Sequence, residues 1–200
     1  MLESFDQAIH RLDLLSPIIL SDLVITNQSY SEMNLSEEAK LTLNVDNAGG
    51  GSEISEALSV EYMVKFFRGS QVIPEMQVEY WIDYKMIDYI IKINQELIGV
   101  SVTRAMGFPN PESFTEFTAQ KLIQKKFYGL VIARNSTVEK HSFYRAVLHI
   151  WCQTQLIADL VMAAYHQLPA SDLEEVIVIC SVCNIPEIYL NRREVLTLTD

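Results

Sequence analysis

The chain has 200 residues, 49% of them hydrophobic and 20% charged, a globular composition that excludes disorder along its length. Twenty-six acids against 15 lysines and arginines give a net charge of −11. That excludes a basic field over the whole molecule, so contact with phosphate needs a local cluster of cations.

No apolar run is long enough to span a bilayer, so no membrane partner is expected. The N-terminus, MLESFDQAIHRLD, is acidic and amphipathic and lacks the basic and apolar regions of a secretory leader. Cys152, Cys180 and Cys183 make an odd count, which fits free thiols better than a disulfide framework. The expected location is therefore intracellular, in a reducing compartment such as cytoplasm or nucleus.

In chain order, Phe5, Ala8, Ile9 and Leu12 stand at helical spacing and predict a short helix over 3–15. PIILSDLVIT is apolar and reads as helix or strand, and KLTLNV (40–45) alternates like a strand. NAGGGSE follows as a flexible connector, either a natural loop or an engineered linker. Residues 52–67 predict a helix to about Leu58 and a strand after it, on the alternation of Val60, Tyr62, Val64 and Phe66. QVEYWID predicts another strand, and MIDYIIKI and LIGVSVTRA predict two strands joined by NQE. The Ser113 to Glu116 capping box predicts a helix from there to about Phe127. GLVIARN, RAVLHIWC and EVIVICSVC read as buried strands, with a helix over 154–168 between the last two.

This order predicts an α/β fold, a central mixed β-sheet flanked by helices on both faces. One domain is expected over 1–200, with 1–48 as N-terminal elements, 49–52 as the glycine-rich stretch and 53–200 as the α/β core.

Asp88 lies in MIDYIIKI, and Ser101 and Thr103 share one face of LIGVSVTRA because side chains alternate along a strand. A strand with an acid, a tight turn, a strand with two polar positions one residue apart, and then a helix resembles the core of the PD-(D/E)XK, or restriction-endonuclease-like, superfamily. The resemblance covers roughly 52–135, with 145–183 as an extension. It implies that the first acid and an E-x-K pair hold a divalent metal and activate water. The matching positions are Asp88, Ser101 and Thr103, so Ser101-Val102-Thr103 stands where Glu-x-Lys belongs. Neutral hydroxyls are poor ligands for a hard cation, and neither replaces a lysine that stabilises developing charge.

Other residues could restore that chemistry. Glu79 and Asp83 could join Asp88 around Mg²⁺, with Lys121 or Lys125 supplying positive charge. Gln124 and Tyr128 match the Q-x-x-x-Y of one exonuclease branch of the family. Arg104, Gln124, Lys126 and Tyr128 are candidates for nucleic-acid contact through stacking and phosphate contacts. Arg104 is alternatively a structural partner for Asp88 across the hairpin.

Cys180-Ser-Val-Cys183 has metal-ligand spacing, yet in a strand the two cysteines face opposite sides, so core packing is the simpler expectation. His149 alternates with Val147 and Trp151 and is expected to be a hydrogen-bonded sheet residue. Neither a G-x-S-x-G nor a phosphate-binding glycine loop occurs.

The first functional expectation is a degenerate restriction-endonuclease-like domain that binds nucleic acid or protein. The alternatives are an active Mg²⁺-dependent nuclease with relocated residues, and a structural subunit of a larger assembly or homo-oligomer.

Overall fold

The computed structural model describes residues 18–24, 29–45, 52–82, 84–169 and 176–190. The expected N-terminal helix over 3–15 and the glycine stretch lie outside the described residues.

Six strands form one mixed sheet: β1 (Ile18–Val24), β2 (Ser70–Pro74), β3 (Tyr89–Ile93), β4 (Glu96–Ala105), β5 (Arg145–Cys152) and β6 (Val176–Cys183). Their spatial order is β1-β6-β5-β4-β3-β2. β2, β3 and β4 form an antiparallel meander, whereas β4, β5, β6 and β1 run parallel. β5 and β6 are buried along their whole length, as parallel strands covered on both faces must be.

Four α-helices stand among the described residues: α1 (Glu37–Asn44), α2 (Glu53–Phe67), α3 (Glu116–Ser136) and α4 (Gln155–Tyr165). α2 covers one face, packing Ile54, Leu58, Tyr62 and Met63 against Tyr89, Ile91, Val100, Val147 and Trp151. α3 and α4 cover the other, with Ile123, Phe127, Leu130, Ile157 and Val161 against Ile90, Leu148, Ile150 and Cys180. The expected α/β sheet with helices on both faces is therefore the observed architecture.

Several elements differ from the sequence expectation. Residues 40–44 are helical, because Ser36 accepts from the Ala39 amide at 3.3 Å and caps α1. Residues 59–67 continue α2, since that helix is buried almost all round from Ile54 to Met63 and shows no polar stripe. The Glu56 and Glu61 carboxylates inside it are partnered: Glu56 by the Ser52 hydroxyl at 2.5 Å, Glu61 by the Ser36 amide at 2.7 Å and Lys65 at 2.8 Å. Residues 77–82 form no strand of the sheet: Gln77 ends a 3-10 turn (Glu75–Gln77), Tyr80 makes an isolated bridge, and Trp81, 74% exposed, lies in a bend. GLVIARN is the second half of α3, where Leu130 and Ala133 extend the buried stripe of Ala119, Ile123 and Phe127. The helix is capped by Thr115, whose hydroxyl accepts from the Thr118 amide, rather than by Ser113.

Candidate functional site

The β3–β4 hairpin turns on Asn94 and Gln95, both at positive φ (50° and 72°), the geometry of a tight two-residue turn. Its register pairs Tyr89 with Val100, and the Asp88 amide extends the ladder by donating to the Val100 carbonyl at 3.0 Å. Asp88 and Ser101 thereby meet. Asp88 Oδ2 accepts the Ser101 hydroxyl at 2.9 Å and the Val102 amide at 2.7 Å.

A third group arrives from α3. Lys126 Nζ donates to the Val102 carbonyl at 2.9 Å and to Ser101 Oγ at 3.4 Å. At 100° per residue, Lys126 falls inside the arc occupied by the buried Ala119, Ile123, Phe127, Leu130 and Ala133, so its stem runs toward the sheet. Lys121, Gln124, Lys125 and Tyr128 lie outside that arc and are exposed. Of the helix lysines, Lys126 reaches the cluster; the Lys121 ammonium sits 4.3 Å from the Phe117 ring centroid instead.

Beside the cluster is a cavity of about 200 Å³, lined by Lys85, Met86, Ser101, Lys125, Lys126, Gly129 and Leu130. Three lysines and one serine line it, and no acidic residue does. Lys85 and Met86 bring the chain before β3 to its wall. Tyr80 bridges to Thr137, the Trp81 amide donates to the Ser136 carbonyl at 2.7 Å, and the Tyr80 hydroxyl accepts the Ile87 amide. Trp81, Ile82 and Tyr84 are exposed, as is Tyr128 on α3.

The remaining candidates are dispersed. Thr103 is half-buried on the same face as Ser101. Arg104 points to the opposite face and donates to the Ile188 and Leu190 carbonyls at 3.5 and 3.2 Å, so it does not partner Asp88. Glu79 is exposed and pairs with Lys140, which holds its carboxyl below the usual range. Asp83 lies outside the described residues.

These donors do not fit Mg²⁺. Asp88 Oδ2 already takes two protein donors, Ser101 and Thr103 are neutral, and an ammonium stands on the far side of the Ser101 hydroxyl. A hard divalent cation requires charged oxygens and repels an adjacent ammonium. Among the described residues, no group of three or more His, Cys, Asp or Glu side chains is placed to hold a metal.

On the opposite face lies a fully buried polar chain. The Tyr89 hydroxyl and Ser59 Oγ are 2.8 Å apart, Ser59 Oγ is 2.8 Å from His149 Nδ1, and His149 Nε2 is 3.0 Å from Ser181 Oγ. Burial holds the imidazole neutral, pulling its pKa from 6.5 down to about 3. His149 is thus the hydrogen-bonded sheet residue expected from its alternation. Cys180 and Cys183 fall on opposite faces of the sheet and are buried and free. Lys126 was a sequence candidate for nucleic-acid contact, but its link to Ser101 was not foreseen, for which the helical arc of α3 was the available signal; Lys85 and the Ser59–His149 chain were missed, and nothing local marks them.

No described helix is long and apolar enough to cross a membrane. No family model and no solved structure matches the chain. Over 148 residues, 71% of its length, the chain is 30% identical to the AAC-rich mRNA clone AAC4 protein of Dictyostelium discoideum, of which it spans 22%.

Proposed function

We propose that this chain is a nucleic-acid-binding module of restriction-endonuclease-like arrangement that lacks metal-dependent cleavage. The observation that supports it is the Asp88–Ser101–Lys126 chain. The acid that the resemblance assigns to metal is spent on a hydroxyl and an amide, and the hydroxyl's other side is spent on an ammonium. What remains open to solvent is the acid-free cavity lined by Lys85, Lys125 and Lys126, with the exposed Tyr84 ring centroid 5.5 Å from the Lys85 ammonium and the exposed Tyr128 next to Gly129 in the chain. Cations beside exposed aromatic rings suit a backbone phosphate with stacked bases. In a chain of net charge −11 this is a local device, so the contact must be steeply salt-dependent.

The test is retention of labelled single- and double-stranded oligonucleotides across a salt series, with Mg²⁺ or Mn²⁺ present or absent. Binding that weakens with salt, loses slope in Lys85→Gln and Lys125→Gln, and is indifferent to divalent ions supports the reading. Metal-dependent cleavage would sink it, and so would the absence of any retention at low salt.

A further inference from the structure

A second cavity lies at the other end of β3 from Asp88, between the C-terminus of α2 and the β3–β4 turn. It measures about 320 Å³ and is lined by Arg68, Ser70, Gln71, Lys92, Asn94 and Gln95. From this lining we infer an anion site for a small phosphate ester carried on a polyol, a sugar phosphate or nucleotide.

The first support is charge. An arginine and a lysine line one cavity that no acidic residue lines. Neither Arg68 nor Lys92 has an ion-pair partner among the described residues, although the chain carries 26 acids. A planar guanidinium fork beside a point-charge ammonium suits an oxyanion with several oxygens.

The second support is the backbone. Arg68 (φ 55°), Gln71 (φ 52°), Asn94 (φ 50°) and Gln95 (φ 72°) are the positive-φ non-glycine residues of the described chain, and all four line this cavity. Each has a local reason for its conformation. Arg68 ends α2 as a left-handed cap, Gln71 sits at the register shift between Ser70 and Ile73, and Asn94-Gln95 makes the hairpin turn. Those reasons account for the backbone and not for the side chains, because glycine serves each position with less strain. An arginine and two glutamines stand there instead, and what they share is this cavity. Outliers of this kind concentrate where a ligand is held.

The third support is hydrogen-bonding chemistry. Three carboxamides and the Ser70 hydroxyl both donate and accept, which matches the hydroxyls of a polyol attached to the phosphate. The site is independent of the Asp88 cluster and does not rest on the nucleic-acid reading.

The test is calorimetric titration of the full chain with inorganic phosphate, ribose 5-phosphate and ribose at constant ionic strength. Saturable binding of ribose 5-phosphate, at least tenfold tighter than phosphate and absent for ribose, is the expected result. Equal affinity for phosphate upholds the anion site with the free ion as its ligand. Arg68→Met and Lys92→Met are each expected to weaken binding at least tenfold, while Lys125→Gln leaves it unchanged. Gln71→Gly and Gln95→Gly, which relieve strain, are expected to raise Tm and still weaken binding, so misfolding does not explain the loss. No saturable binding of either phosphate compound, or binding unchanged in both Arg68→Met and Lys92→Met, overturns the proposal.

Discussion

Asp88 and Lys126 are joined through one hydroxyl: Ser101 Oγ donates to the carboxylate at 2.9 Å and accepts from the ammonium at 3.4 Å. The hydroxyl therefore links opposite charges while each keeps a backbone partner at Val102. Ser101→Ala removes one acceptor from Lys126 and one donor from Asp88. In this partly buried setting the expected loss is about 1–3 kcal/mol. Urea denaturation of Ser101→Ala, Lys126→Met and the double variant checks it. The two losses are expected to overlap, with the double variant less damaged than the sum. Simple additivity would show that the hydroxyl does not couple the charges.

His149 gives the fold an acid sensitivity in a higher pH range than its carboxylates do. Its folded pKa of about 3 lies below the ordinary 6.5, so between those values the unfolded chain binds a proton that the folded chain does not. Stability therefore rises with pH across that window and is lost as pH falls below 6.5. The slope approaches about 1.4 kcal/mol per pH unit, the value for one proton. Glu61, held below its ordinary 4.5 by Lys65 and Ser36 against the opposing effect of burial, adds a loss of the same sign only at lower pH. Denaturation midpoints between pH 6.5 and 5 thus isolate the histidine. His149→Asn is expected to flatten that segment of the curve whatever its absolute stability. An unchanged slope would assign the acid sensitivity elsewhere.

The cysteines are expected to be silent toward thiol reagents. All three are buried and free, and burial pushes the Cys183 thiol up. Cys152 is pushed up by the Cys180 thiol beside it and by burial. Since the thiolate is the reactive form, a disulfide reagent should modify the native chain only as fast as it opens. The measurement is labelling rate against denaturant, expected to track unfolding. Rapid labelling of one equivalent in buffer would contradict the burial.

The sheet's parallel half was legible because RAVLHIWC and EVIVICSVC are too short and too β-branched for buried helices. The misread stretches share one physical cause. α2 is buried nearly all round and α3 carries Leu-Val-Ile in its second half, so local composition pointed to strands while tertiary packing made helices. The Asp88–Ser101 pairing followed from the strand period and the short turn. The third member did not, because Lys126 and Lys125 are neighbours in sequence and only the rotation of α3 separates their roles. The cavity lined by Arg68, Gln71 and Lys92 was invisible, since it assembles from a helix cap, a bulge and a hairpin turn.

Two glycines are expected to answer the same substitution with opposite sign. A Cβ at Gly99, in the middle of β4, would lie 2.4–2.7 Å from three carbons of the Phe143 ring, which is itself buried. Gly99 is paired with Ile90 on one side and Ala146 on the other, so the strand has little room to move away. Gly99→Ala is expected to cost about 1–3 kcal/mol through overpacking, and Phe143→Leu in the same chain should recover part of it. Gly129, in α3, has nothing within 4 Å of the same added atom. There alanine removes the backbone freedom that glycine brings to a helix interior, and a gain of up to about 1 kcal/mol is expected. Thermal melts of the two single variants decide the matter. A destabilised Gly129→Ala would mean that the cavity wall beside Lys125 and Lys126 closes more tightly than its open geometry indicates.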